Sequence, residues 1–258
     1  MPKSTHLISI YDRQAFNELS RWQKRMKKKP SLINQLSGNL QARINKVIPE
    51  GVHQAITTAI KQMTRAMIFG AGITTQKPLN DINLEGRERK VVSSIKTYRN
   101  TATAEGAITG AGGILLGLAD FPLWLSIKMK MLFDIAAKYG IDTSDYKERV
   151  YLLHIFQLTF SSQKHRNKIY HIMANWEEEQ KRLPDDLNSF EWRTFQQEYR
   201  DYIDLAKLLQ LVPGIGAVVG AYVNHRLTTK LGKYAMNAYR MRLASWGEFH
   251  LNLPAADL

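Results

Sequence analysis

Between Glu105 and Lys128 the chain reads GAITGAGGILLGLADFPLWLSI, with Asp120 as its single charge. No other stretch limits the fold so strongly. As one helix rising about 1.5 Å per residue, Gly106–Ile127 would measure roughly 33 Å, near the hydrocarbon thickness of a bilayer. Its glycines stand one helical turn apart, Gly106 with Gly110 and Gly113 with Gly117. That spacing lets helix backbones approach closely, in membranes and in tight soluble hairpins alike. Asp120-Phe121-Pro122 then interrupts the run. Asp is a good N-cap and Pro fits a helix's first turn, so two helices are expected to meet here. A second uncharged stretch, LLQLVPGIGAVVGAYVNH, lies between Lys207 and Arg226, is broken by Pro213, and repeats the spacing with Gly216 and Gly220. Broken in this way, neither stretch leaves a piece long enough to span. The expectation is two glycine-rich apolar helical hairpins, packed by those glycines and either buried by protein or re-entrant.

Elsewhere apolar residues recur at helical spacing and strand-like alternation is absent. Residues 11–29 place Phe16, Leu19 and Trp22 on one side and end in Lys27, Lys28 and Lys29 before Pro30. Leu32, Leu36, Leu40 and Ile44 form a second stripe, and Val52, Ile56, Ile60 and Met63 a third. Gly140 is placed to stop the helix that starts near Pro122, and Thr143-Ser144-Asp145 to start the next. Phe195, Tyr199, Tyr202, Ala206 and Leu209 make another stripe; Leu227, Leu231, Tyr234, Ala235, Ala238 and Met241 make the last. The pattern predicts an all-α fold, a bundle of about eight to eleven helices. Residues 1–50 read as basic amphipathic N-terminal helices and 51–258 as the helical domain proper.

The charge is unevenly spread. Residues 1–50 hold ten Lys/Arg against three Asp/Glu, and 51–100 eight against three, so the first hundred residues carry +12 of the formal +13. Such a face seeks phosphate, on anionic lipid or on nucleic acid. Arg21, Trp22, Lys24, Arg25, Lys27, Lys28 and Lys29 are the candidate lipid contacts, with Trp22 at the interface and the cations over headgroups. The competing reading is a solvated basic helix whose apolar side simply packs in the core. Nucleic acid is the weaker partner, because apolar glycine-rich segments serve no purpose in groove recognition. The absence of cysteine excludes disulfides and thiolate metal sites. The first residues lack the apolar core of a signal peptide, which points to the cytoplasmic side of a membrane.

Reaction chemistry leaves little trace. There is no GxxxxGK[ST] loop, GxSxG elbow or HExxH pair, and no histidine spacing suggests a metal site, so neither metal nor cofactor is expected. If the chain is an enzyme, Asp120, Asp134 and His154 are where polar groups could converge. Each has a structural alternative: Asp120 as the cap before Pro122, His154 as a hydrogen-bonded core histidine.

Residues 101–162, TATAEGAITGAGGILLGLADFPLWLSIKMKMLFDIAAKYGIDTSDYKERVYLLHIFQLTFSS, resemble the signature of the EcsC family. VPGIGAVVGAYVNHRLTTKLGKYAMNAYRMR, residues 212–242, is similar to that family's C-terminal signature. The family takes its name from the third gene beside an ABC-transporter ATPase and its membrane subunit. The resemblance therefore implies a bacterial protein at the cytoplasmic face of the cell membrane, connected with that exporter and with secretion. It supplies no active-site residues. The expected function is a non-enzymatic membrane-associated accessory protein, meeting anionic lipids and ABC-transporter subunits. The alternative is a hydrolase acting on lipid or peptide at the membrane surface.

Overall fold

The computed structural model describes residues 9–28, 50–70, 77–110, 113–161, 163–191 and 217–247. Among them are eight α-helices and no strand, as the periodicity requires. These are α1 (Ile10–Lys27), α2 (Glu50–Phe69), α3 (Leu84–Gly110), α4 (Gly113–Lys138), α5 (Tyr146–Phe160), α6 (Gln163–Ala174), α7 (Trp176–Glu179) and α8 (Ala217–Ser245).

The last helix organises the rest: α8 packs against α1, α3, α4, α5 and α6. Its neighbours fix its direction. Against α3 it is antiparallel, with Arg240 meeting Glu88, Gly232 meeting Ile95 and Asn224 meeting Ala102. Against α4 it is parallel, Asn224 bonding Trp124 and Tyr239 stacking on Tyr139. Against α5 it is antiparallel, since Tyr151 donates to the Ala238 carbonyl and Lys230 to that of Thr159. The antiparallel α1 lays Trp22 on Tyr234, with Glu18 reaching Arg240. The bundle therefore has two poles. One gathers the start of α3, the end of α4, the start of α5 and the end of α8. The other gathers the end of α3 and the starts of α4 and α8, which carry glycines 106, 110, 113, 117 and 220.

One glycine makes the central contact possible. A Cβ on Gly232 would lie 2.6 Å from two carbons of the Ile95 side chain, so its bare backbone lets α3 settle onto α8. The close approach uses a glycine outside both glycine-rich stretches.

The helix ends are built as their sequences suggest. Ser9 accepts from the Asp12 amide to start α1, and Asp145 from that of Lys147 to start α5. Gly140 follows α4 with φ +83°, and Arg87 donates to the adjoining Tyr139 carbonyl at 2.6 Å. Arg149 closes α2, donating to Ile68 O at 2.8 Å and to Thr143 O at 2.9 Å. Helix α5, lodged between α2, α6 and α8, is buried on all its faces.

Two expectations change. Pro122 does not start a helix: α4 runs through it from Gly113 to Lys138. An interior proline costs roughly 3 kcal/mol through its missing donor and ring clash. Here the flanking Phe121, Trp124 and Leu125 are all buried, with Phe121 stacked on Trp124, and that burial offsets the cost. The described part of α3 ends at Gly110 and that of α4 begins at Gly113. The turn of the first expected hairpin, Asp120-Phe121-Pro122, is thus inside a helix, while residues 111–112 and 192–216, with the Pro213 break of the second, lie outside the described residues. So do the stripes of residues 32–44 and 195–209. The second change concerns Trp22, which is 1% exposed and sits edge-on to Tyr170 and Tyr234. It belongs to the core that Leu19 and Met26 also join, so it offers no ring to a lipid interface.

Candidate functional site

At the first pole the interior is charged. Glu88 is fully buried on α3, and Arg240 of α8 binds it through both oxygens, Nε to Oε1 at 2.7 Å and Nη2 to Oε2 at 2.6 Å. Tyr139 donates to Oε1 at 2.8 Å and Tyr11 to Oε2 at 2.5 Å. The remaining Nη1 of Arg240 reaches the exposed Glu18 at 2.8 Å. Burial, and then the negative charge of Glu88, holds the Tyr139 phenol far above its ordinary range, so it acts as a neutral donor. Burial works against the Arg240 charge, but Glu88 and Glu18 outweigh it and hold the guanidinium above its usual value. This bidentate pair locks α1, α3, α4 and α8 into one register.

Two residues further along α8, Arg242 lies between the rings of Tyr151 and Trp246, 4.8 and 4.5 Å from their centroids. It pairs with Glu148 through two bonds, and Trp246 donates to Glu177 at 2.8 Å. Exposed pairs surround these, Lys147 with Asp185 and Arg182 with Glu179 among them. The acidic side chains described in the structure gather here: in the first turn of α3, the α4–α5 connection, α7 and the turn after it. Asp134, in the last turn of α4 and paired with Lys138, belongs to the same pole, whereas Glu105 on α3 and Asp120 on α4 stand toward the other.

Toward the opposite pole the sign reverses. The exposed side of α1 ends in Arg21, Lys24, Arg25, Lys27 and Lys28. Asn167 at the start of α6 bonds the Lys27 carbonyl, which brings Arg166 and Lys168 alongside. Arg226 and Lys230 of α8 follow, then Lys130 of α4 and Lys96 of α3. Neither α6 nor α8 contains an acidic residue. Tyr234 marks the junction of α1, α6 and α8. Burial raises its phenol while the charges of Arg166 and Arg25 oppose the rise, and the Lys230 ammonium lies 5.2 Å from its ring centroid. Beneath this band the three glycine-bearing helices are stapled. The buried Lys128 and the Trp124 indole both donate to Asn224 Oδ1, at 2.9 and 2.6 Å, and Asn224 donates to Ala102 O at 2.7 Å. Beyond the staple Leu123 and Tyr222 are 53% and 64% exposed.

The expected residues fall out as follows. The cations of α1 stand on one exposed surface, apart from Lys29, which lies outside the described residues. Asp134 and His154 have separate partners. His154 is buried against Gln157, its Nδ1 3.1 Å from Oε1, and burial pushes its pKa down to about 4. It is a neutral core imidazole, the structural alternative the sequence offered. Asp120, Gly106, Gly110, Gly113, Gly117 and Gly220 lie in helices, with nothing described of their surroundings; Gly216 is outside the described residues. Sequence reasoning missed Glu88, Arg240, Lys128 and Asn224. Nothing in LEGRERK distinguishes Glu88 from Glu85, which is partly exposed and pairs with Arg89. Among the described residues no cluster of His, Asp and Glu could hold a metal ion.

The profile of the EcsC protein family matches residues 13–243, which covers α1 through nearly all of α8. The chain belongs to the EcsC family. It is 42% identical over 227 residues to Protein EcsC of Bacillus subtilis (strain 168), covering 88% of this chain and 93% of that protein. It is also 33% identical over 149 residues to the same organism's "Uncharacterized protein YdbA", covering 57% of this chain and 54% of that one. No solved structure matches. The EcsC match takes in the buried Glu88–Arg240 pair together with the basic band.

Proposed function

We propose that this EcsC-family chain is a non-enzymatic, membrane-associated accessory protein, held to anionic lipid at the cytoplasmic face of the bacterial membrane and working with an ABC exporter in secretion. The observation that carries the lipid contact is the segregation of charge. Most of the described acidic side chains lie toward one pole, while cations from α1, α6 and α8, the last two helices without an acid, lie toward the other and give that surface a positive field that attracts phosphate-bearing surfaces. The exporter connection rests on the family resemblance. The non-enzymatic reading draws support from the interior polar groups, which are engaged in holding helices together: Glu88 by Arg240, His154 by Gln157, Asp134 by Lys138. No helix among the described residues is long and apolar enough to cross a membrane, which suits surface attachment.

The test is cosedimentation with phosphatidylglycerol vesicles, phosphatidylcholine vesicles and duplex DNA. Each basic group near an anionic surface is worth about 1 kcal/mol, so changing Arg21, Lys24, Arg25, Lys27 and Lys28 together to Gln is expected to lower anionic partitioning by at least about 100-fold. High salt has the same direction of effect. Equal binding to neutral and anionic vesicles, preference for DNA, or unchanged binding by the folded variant overturns the proposal.

A further inference from the structure

The basic band has a focus where α1, α6 and α8 meet. We infer that this junction is a discrete site for one phosphate group, held by Arg25, Arg166 and Lys230 around the Tyr234 hydroxyl. The inference rests on the membrane reading for its ligand class and adds a saturable site to a diffuse attraction.

Antiparallel packing brings the three cations to one level. Trp22 of α1 lies edge-on to Tyr234 of α8, so the next turn of α1, which carries Arg25, stands beside the turn of α8 that carries Lys230. The same indole lies edge-on to Tyr170 of α6, and Asn167 donates to the Lys27 carbonyl at 3.3 Å, which brings Arg166 alongside. Both guanidinium groups are near enough to oppose the rise in the Tyr234 phenol, and the Lys230 ammonium stands 5.2 Å from its ring centroid. No carboxylate of these three helices shares that level. Helices α6 and α8 have no acid, and those of α1 are Asp12 and Glu18, the latter turned to Arg240 further along α8.

The alternative is that the cations only finish helix α5. Lys230 donates to Thr159 O at 2.7 Å and Arg166 to Ser161 O at 3.4 Å, carbonyls at and just past the end of that helix. Capping explains where those two stand, but it leaves two groups unexplained. Among the described residues Arg25 makes no ion pair, and the half-buried Tyr234 makes no hydrogen bond through its hydroxyl. Cations gathered around a hydroxyl donor repel one another until an anion joins them. A phosphate fits that need: its oxygens accept from the guanidinium forks and the phenol, while the ammonium acts as a point charge. Trp22 against both tyrosines and the carbonyls of α5 hold the donors in position beforehand, so little order is lost on binding.

Free phosphate and a lipid headgroup offer the same chemistry, so both are titrated by calorimetry at constant ionic strength in chloride. The probes are inorganic phosphate and monomeric dihexanoyl-phosphatidylglycerol, with dihexanoylglycerol as the phosphate-free control. One ligand per chain is expected to bind saturably. Tyr234→Phe keeps the ring against Trp22 and is expected to weaken binding about tenfold, through loss of one hydrogen bond to a charged group. R25Q/R166Q is expected to weaken it at least about 100-fold, whereas K61Q/K90Q, which removes two exposed cations on α2 and α3, changes it less than about twofold. Thermal melts verify each fold. Tighter binding of the phosphatidylglycerol analogue identifies a lipid headgroup and equal or tighter binding of phosphate a free anion; either upholds the site. Absence of saturable binding by both probes, equal binding of dihexanoylglycerol, unchanged affinity in Y234F, or K61Q/K90Q as weak as R25Q/R166Q overturns it. Cosedimentation with phosphatidylglycerol vesicles, run in parallel, reads the membrane proposal separately. Vesicle binding without saturable probe binding removes the site alone, and probe binding without vesicle binding removes the membrane reading alone.

Discussion

The buried pair of Glu88 and Arg240 offers the sharpest test of how the bundle is held. Glu88→Gln removes the charge with little change in shape. Gln keeps one oxygen, which can go on accepting from Arg240 Nε and the Tyr139 hydroxyl as Oε1 now does. Its amide nitrogen is a donor placed against two further donors, Arg240 Nη2 and the Tyr11 hydroxyl. Arg240 is 3% exposed and retains Glu18, which is more than half exposed and so screened. Removing one partner from a buried pair costs roughly 3–5 kcal/mol, and each orphaned buried donor about 1–3 kcal/mol. Allowing for the Glu18 contact, a net loss of about 4 kcal/mol is expected, a large share of the roughly 5–15 kcal/mol by which a domain is stable. In a thermal melt that is a fall of roughly 8–16 °C, and urea titration should show a lower midpoint with an unchanged slope. The double variant E88L/R240M removes both charges together, and well-packed apolar replacement of a buried pair is often neutral. It is expected to recover more than half of the loss. A cost below about 1 kcal/mol for E88Q, or a double variant as unstable as the sum of its singles, refutes the reasoning, because it would mean the pair is solvated or uncoupled.

Two further outcomes test the interior. Gly232→Ala forces a Cβ into the Ile95 side chain; overpacking of roughly 1–3 kcal/mol exceeds the gain of about 1 kcal/mol in helix propensity, so denaturation should show net destabilisation, and a stabilised variant would mean α3 and α8 are not in close contact there. His154 has a folded pKa of about 4, below its ordinary value of 6.5, so between those values the unfolded chain binds the proton and the native one does not. Stability is therefore undiminished above pH 6.5 and falls as pH drops toward 4, by on the order of 3 kcal/mol from this group; His154→Asn should flatten that part of the profile, and an unchanged slope would show the imidazole to be hydrated.

What the amino-acid sequence determined by itself is what depends on neighbours a few residues away. Helical class followed from apolar spacing, and the buried faces of α1 and α8 followed from Leu19 and from Leu231, Ala235 and Ala238, whereas Trp22, read as a lipid contact, proved to be core. Asp145 and Gly140 marked helix ends because capping and positive φ are local chemistry. The family was legible as well, since a signature is a linear object. Tertiary structure alone decided the rest. Pro122 is a strong local stop signal that α4 overrides through the burial of its flanking aromatics. Arg240 and Arg242 look like solvated helix charges in sequence and are core residues, because their acids stand on other helices at positions 88 and 148. The charged poles are invisible for the same reason. Residues 24–28, 166–168 and 226–230 become one surface only when α1 and α8 pack antiparallel with α6 beside them, and that register is set by contacts between side chains far apart in the chain.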